Sequence, residues 1–181
     1  TPTGRCIQRE YTGDYDEYKE SFFERYENGE MYEIDSSIFV NSEKFTTPGG
    51  KVVYGGGGIM PDIFVPFDSA GVSTYFRTLR YSDAFFTFAF DYVKNKRKKW
   101  KSSESFSKTF NISTNLLNAF LNYADKEVNI PISKKGLAKS KTLIIQTLKA
   151  EIARQLWMED GYYRVINKSD NDVLKAIGIL N

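Results

Sequence analysis

Between Tyr15 and Asn28 the aromatic residues Tyr18, Phe22 and Tyr26 recur every fourth position, with Asp14 before them and Gly29 after. A stripe of helical period between a capping acid and a glycine predicts a short amphipathic helix. Lys51-Val52-Val53-Tyr54 and Ile63-Phe64-Val65 flank the glycine run Gly55 to Gly58, and their β-branched and aromatic residues predict two short strands. Beyond Pro66 the spacing turns helical throughout. Ser82 is placed to cap a helix reaching Trp100, with Phe85, Phe88, Ala89 and Tyr92 on one stripe and Phe86, Phe90 and Val93 on the next. So wide an apolar arc predicts burial against more than one neighbour. Ser113 or Thr114 starts a second helix facing inward with Leu116, Leu117, Phe120, Leu121 and Ala124. A third runs from about Leu137 to Met158 along Ile144, Leu148, Ile152 and Leu156, and Asp172 to Ile179 makes a short last one.

Punctuating residues divide the chain at Pro66. Most glycines and prolines precede it, and long periodic stretches follow. The expected fold is therefore mainly α: a helical C-terminal domain, 67–181, preceded by a small β and loop portion, 1–66. Apolar residues make up 41%, aromatic 15% and charged 27%, which is the composition of a globular chain rather than a disordered one. No apolar run approaches the roughly 20 residues of a membrane span. The chain opens Thr1-Pro2-Thr3-Gly4 without an initiator Met, so we read it as a piece of something longer.

A net charge of +2 conceals opposite halves. Eleven acids lie between Glu10 and Glu43 against Lys19 and Arg25, whereas six of the eight residues from Lys94 to Lys101 are Lys or Arg. Such a run could touch nucleic acid or anionic lipid through phosphates. It also suits the C-terminal, negative end of a helix, and its interleaved aromatic is Trp100 alone. It reads as a solvated helix end, with no nucleic-acid partner expected.

Histidine is absent, which removes Ser-His-Asp and Cys-His catalysis and any His-ligated metal from this chain. Cys6 is the single cysteine. With no histidine to activate it, it reads as a small buried side chain rather than a nucleophile. The acids from Asp14 to Asp35 lack the spacing of a calcium loop and read as a solvated face. Gly55 to Gly58 resemble a phosphate loop only in glycine content. No Lys-Ser/Thr pair follows, and Pro61 blocks a helix directly after them. The glycines are expected to act through backbone geometry. No catalytic, cofactor-binding or metal-binding residue is assigned, and no cofactor is expected.

Two segments carry a family resemblance. Thr1-Pro2-Thr3-Gly4-Arg5-Cys6-Ile7-Gln8 resembles the "TPSGRxIQ" strand of C-terminal processing peptidases, also called tail-specific proteases. Gly50-Lys51-Val52-Val53-Tyr54-Gly55-Gly56-Gly57-Gly58-Ile59-Met60-Pro61-Asp62-Ile63 resembles that family's "GRxVYGGGGIxPDI". They occur in the family's order, separated by an acidic, tyrosine-rich insert of the kind seen in Bacteroidetes-like members. Phe88-Ala89-Phe90-Asp91-Tyr92 and Ala153-Arg154-Gln155-Leu156-Trp157 are more loosely similar to the tail of the same members.

The resemblance implies an exported enzyme of the periplasm or cell envelope that cleaves proteins near their C-termini with a serine nucleophile and a lysine base. Protein or peptide substrates are the implied partners, a PDZ domain usually holds the substrate tail, and the parent enzyme can associate with the membrane. Both catalytic residues precede the "TPSGR" strand, the lysine in a G-K-G-x-x-Q setting. Gly4-Arg5-Cys6-Ile7-Gln8 imitates that setting, but Arg5 stands where the lysine belongs, and arginine does not lose its proton. Lys51 occupies a position where the family has arginine, which implies a structural role. The expected identity is a non-catalytic C-terminal portion of such a protease. The competing reading is an independent helical protein-interaction module.

Overall fold

Asp14 starts the first helix as its chemistry requires: its Oδ1 accepts the Asp16 and Glu17 amides at 2.8 and 3.2 Å. Helix α1 (Tyr15–Glu27) follows, and Gly29, at φ +83°, lies just past its end. The computed structural model describes residues 1, 3–8, 13–27, 29, 32–33, 43–56, 59 and 61–180. Asn28, the side chains of Phe22 and Tyr26, Gly57, Gly58, Met60 and, within the acidic insert, residues 10–12, 30–31 and 34–42 lie outside the described residues.

The β portion departs from expectation. Strand β2 (Val52–Tyr54) pairs antiparallel with β1 (Lys44–Thr46), in register Phe45 to Val53, while Ile63-Phe64-Val65 forms no strand. The reversal comes from Pro48-Gly49-Gly50. Gly50 takes φ +82°, its amide reaches the Thr47 carbonyl at 2.9 Å, and Thr47 Oγ1 accepts the Lys51 amide at 3.1 Å. The glycine run thus leaves a hairpin instead of joining two strands.

The chain divides into two compact units, Thr1–Asp68 and Ser69–Asn181. The second is helical, and serines start four of its helices. Ser73 caps α2 (Thr74–Tyr81), Ser102 caps α4 (Ser103–Thr109), Ser113 caps α5 (Thr114–Glu127) and Ser133 caps α6 (Lys134–Ile166). Each hydroxyl accepts an amide three residues on, at 3.1 to 3.2 Å. Helix α3 (Ala84–Val93) is shorter than expected. Ser82 links it to α2, accepting the Ala84 amide at 3.3 Å and donating to the Leu79 carbonyl at 2.9 Å. After Val93 the chain turns, then makes a single 3-10 turn at Arg97–Lys99, so the basic run is not a helix end. Helix α7 (Asn171–Leu180) buries none of its residues.

Among the described residues every buried core side chain lies between Tyr75 and Val165. Helix α6 touches α2, α3 and α4, presenting Ile144, Leu148 and Ile152 as fully buried residues. Phe85 stacks on Phe120 with centroids 4.6 Å apart, and Phe106 stacks on Phe110 at 4.5 Å. Full burial of one such ring contributes about 1.5–3 kcal/mol. As its wide apolar arc predicts, α3 packs against more than one neighbour, meeting α6, α5 and α2. Of its second stripe Val93 is buried, whereas Phe86 and Phe90 are 54% and 44% exposed.

Helix α6 breaks near its expected end. Trp157 (φ −136°, ψ 20°) and Met158 (φ 55°, ψ −140°) leave helical geometry, and a further helical piece runs on to Ile166. Ser103 donates to Asp160 at 2.5 Å and Ser107 to the Arg164 carbonyl at 2.8 Å, which ties this last piece to α4.

Candidate functional site

Along the outer edge of β2 the two segments singled out in the sequence come together. Register places the Tyr54 carbonyl on the side away from β1, because the flanking Lys51 and Gly55 backbone bonds go to β1's side. Arg5 Nη1 donates to that carbonyl at 3.4 Å, and the Gly56 amide donates to the Cys6 carbonyl at 2.9 Å. Gly56 sits at φ +70°, a conformation that glycine adopts without strain. At Gly55 a β-carbon would lie 2.8 Å from Phe45 Cε2, so ring and backbone are in direct contact. Both glycines therefore serve geometry.

Beside this junction lies a cavity of about 320 Å³ lined by Arg5, Lys51, Val52, Tyr54, Ile59 and Asp62 among others. Lys51 forms an ion pair with Asp62, and both side chains remain largely exposed. Arg5 donates to a carbonyl and Lys51 is paired with a carboxylate. Cys6 is exposed, not buried as expected. Its backbone makes the contact with Gly56, and Sγ reaches the Gln8 carbonyl at 3.6 Å.

In the helical unit, serine and lysine meet at Ser107. Lys149 and Lys168 both donate to the Ser107 carbonyl at 3.0 Å, while the Ser107 hydroxyl donates to the Arg164 carbonyl. Burial, and secondarily the nearby Lys168 charge, pushes Lys149 below the ordinary lysine range. Hydroxyl and ammonium are nevertheless turned to different carbonyls. Among the described residues no lysine ammonium is hydrogen-bonded to a serine hydroxyl, and no three His, Cys, Asp or Glu side chains gather as metal ligands.

An ionic network built on the buried Glu151 occupies the far end of α6. Glu151, 3% exposed, accepts both of its bonds from Arg154 Nη1, at 3.2 and 3.4 Å. The Arg154 guanidinium lies 3.8 Å from the Tyr162 ring centroid and also pairs with Glu159. Tyr162 in turn accepts from Arg80 at 3.4 Å. Nothing in the one-dimensional pattern marked this network, because its members converge only after the turn at Trp157 and Met158 brings Tyr162 back against α6.

Residues 75–159 match a family profile described as a family of unknown function (DUF8443), which takes in α2 through the break in α6. No curated protein and no solved structure matches the chain.

Proposed function

We propose that this chain is the non-catalytic C-terminal portion of a Ser-Lys carboxyl-terminal processing protease that acts on protein or peptide substrates in the periplasm or cell envelope. One observation carries the reading. The two segments that resemble the protease motifs are more than 40 residues apart in sequence, yet they bond directly, Gly56 to Cys6 and Arg5 to Tyr54. Side-by-side pairing is what neighbouring strands of one protease core would need.

The size of the hairpin points the same way. Strands of three residues in a two-stranded sheet are marginal alone, and they gain stability when added to a larger sheet. In this reading the first unit completes the protease sheet and the helical unit packs beside the substrate groove or mediates assembly. The catalytic serine and lysine are supplied by sequence preceding Thr1.

A second reading has its own support. The family match and, among the described residues, the buried core fall within the helical unit, as they would for an independent helical interaction module. Reading the coding sequence upstream of Thr1 separates the two. A serine and a G-K-G-x-x-Q lysine are expected there under the protease reading, and their absence favours the module.

A further inference from the structure

Helix α3 leaves Phe86 and Phe90 exposed one turn apart, and Lys94 continues the same spacing where the helix ends. Beyond it Lys96, Arg97, Lys98, Lys99 and Lys101 are all exposed on the turn and 3-10 segment. Among the described residues none of these six cations forms an ion pair. The unit from Ser69 to Asn181 holds 19 Lys and Arg against 10 Asp and Glu, so the excess is not offset nearby. Asp83 and Asp91 are the two acids adjoining the exposed rings.

Lys96 lies over the Tyr92 ring at 3.6 Å and Lys99 over Trp100 at 5.4 Å, but no carboxylate neutralises the cluster among the described residues. Two apolar rings beside such a cation cluster make a surface with two chemistries. An anionic lipid bilayer satisfies both: acyl chains take the rings, and headgroup phosphates take the ammonium and guanidinium groups. Lysine stems suit such a boundary, since their methylenes lie along apolar surface while the charge stays in the headgroup layer. A single-stranded nucleic acid fits less well. Trp100, the aromatic within the basic run, is packed edge-on against Phe106 and Phe110, at 5.1 and 5.4 Å, and is not free to stack on a base.

We infer that the end of α3 and the segment from Lys94 to Lys101 dock on an anionic bilayer, with Phe86 and Phe90 entering the acyl boundary. This goes beyond the protease reading and does not depend on it. The test is co-sedimentation of the 181-residue chain with phosphatidylglycerol–phosphatidylcholine vesicles and with phosphatidylcholine alone. Anionic vesicles should bind at least about tenfold more tightly, and the difference should collapse as salt rises from about 0.1 M to about 1 M. Both K98E/K99E and F86S/F90S should weaken binding about tenfold. Melting temperature should hold for K98E/K99E, whose side chains are exposed, and fall only modestly for F86S/F90S, whose rings are about half exposed. Equal binding to both vesicles, no binding to either, or undiminished binding by F86S/F90S would overturn the proposal. So would a chain that ignores vesicles and instead binds single-stranded oligonucleotides or self-associates through Phe86 and Phe90.

Discussion

Gly161 lies directly against the Ala153 carbonyl. A β-carbon at position 161 would run into the carbonyl oxygen and stand 2.8 Å from its carbon. The contact exists because the chain reverses at Trp157 and Met158, and it brings the last piece of α6 onto the preceding helix without any spacer. Since the obstacle is backbone, it cannot swing aside. Gly161→Ala should cost at least about 1–3 kcal/mol, the range for forcing extra volume into a packed site. A thermal melt showing no loss of stability would mean that this reversal is looser than described.

Ser140 holds the entry to the helical unit. It is 1% exposed, donates to the Gly71 carbonyl at 2.7 Å, accepts the Ser73 amide at 2.8 Å and lies 2.8 Å from the Ser73 hydroxyl. Ser140→Ala strips these partners while leaving them buried, at an expected cost of about 1–3 kcal/mol. Because the second unit holds its own continuous buried core from Tyr75 to Val165, residues 69–181 should fold alone, with helical circular dichroism and a cooperative melt. Starting the chain at Val72 removes the Gly71 carbonyl and should lower the melting temperature of that fragment. A disordered spectrum for residues 69–181 would contradict this.

Several of these features were legible in the sequence and others were not, for physical reasons. Helix α5 could be placed because Ser113 caps it and Leu117, Phe120, Leu121 and Ala124 keep helical spacing; all four are buried. Helix α4 could not. Its sequence, Ser103-Glu104-Ser105-Phe106-Ser107-Lys108-Thr109, has weak helix formers, and the ties that hold it to Asp160 and to the Arg164 carbonyl come from 57 residues away. Helix α2 is only eight residues long, too short for a stripe to declare itself. In the hairpin, Lys44-Phe45-Thr46 carries one apolar residue, so the apolar run Ile63-Phe64-Val65 drew the strand assignment instead. The protease-like motifs were visible as words, but their adjacency depends on the fold.

Acid should loosen the tie between the last piece of α6 and α4. Arg164 Nε donates to both Asp160 oxygens, at 2.9 and 3.0 Å, and that bond, helped by the Ser103 hydroxyl, holds the Asp160 carboxyl below the usual carboxylate range. A lowered folded-state value means stability that is fully present above the ordinary aspartate range. It is lost as pH falls through the lowered folded-state value. Asp160→Asn should therefore destabilise at neutral pH and flatten the acid limb of stability against pH. An unchanged acid limb, followed by urea unfolding, would show that the pair contributes nothing.

Gly56 offers a test of the glycine run. Alanine at φ +70° carries left-handed strain of about 1–2 kcal/mol, so Gly56→Ala should destabilise the first unit and weaken the Cys6 contact. Nucleotide should leave the melting of parent and variant unchanged. A nucleotide-dependent rise that the variant loses while staying folded would make the loop a ligand site.

The protease reading is tested most directly by peptide hydrolysis, with the products identified by mass spectrometry. The intact gene product should cleave a protein substrate near its free C-terminus, lose that activity when its upstream serine is changed to alanine, and residues 1–181 alone should release nothing. An intact product that does not cleave, or turnover by residues 1–181 alone, would contradict the account.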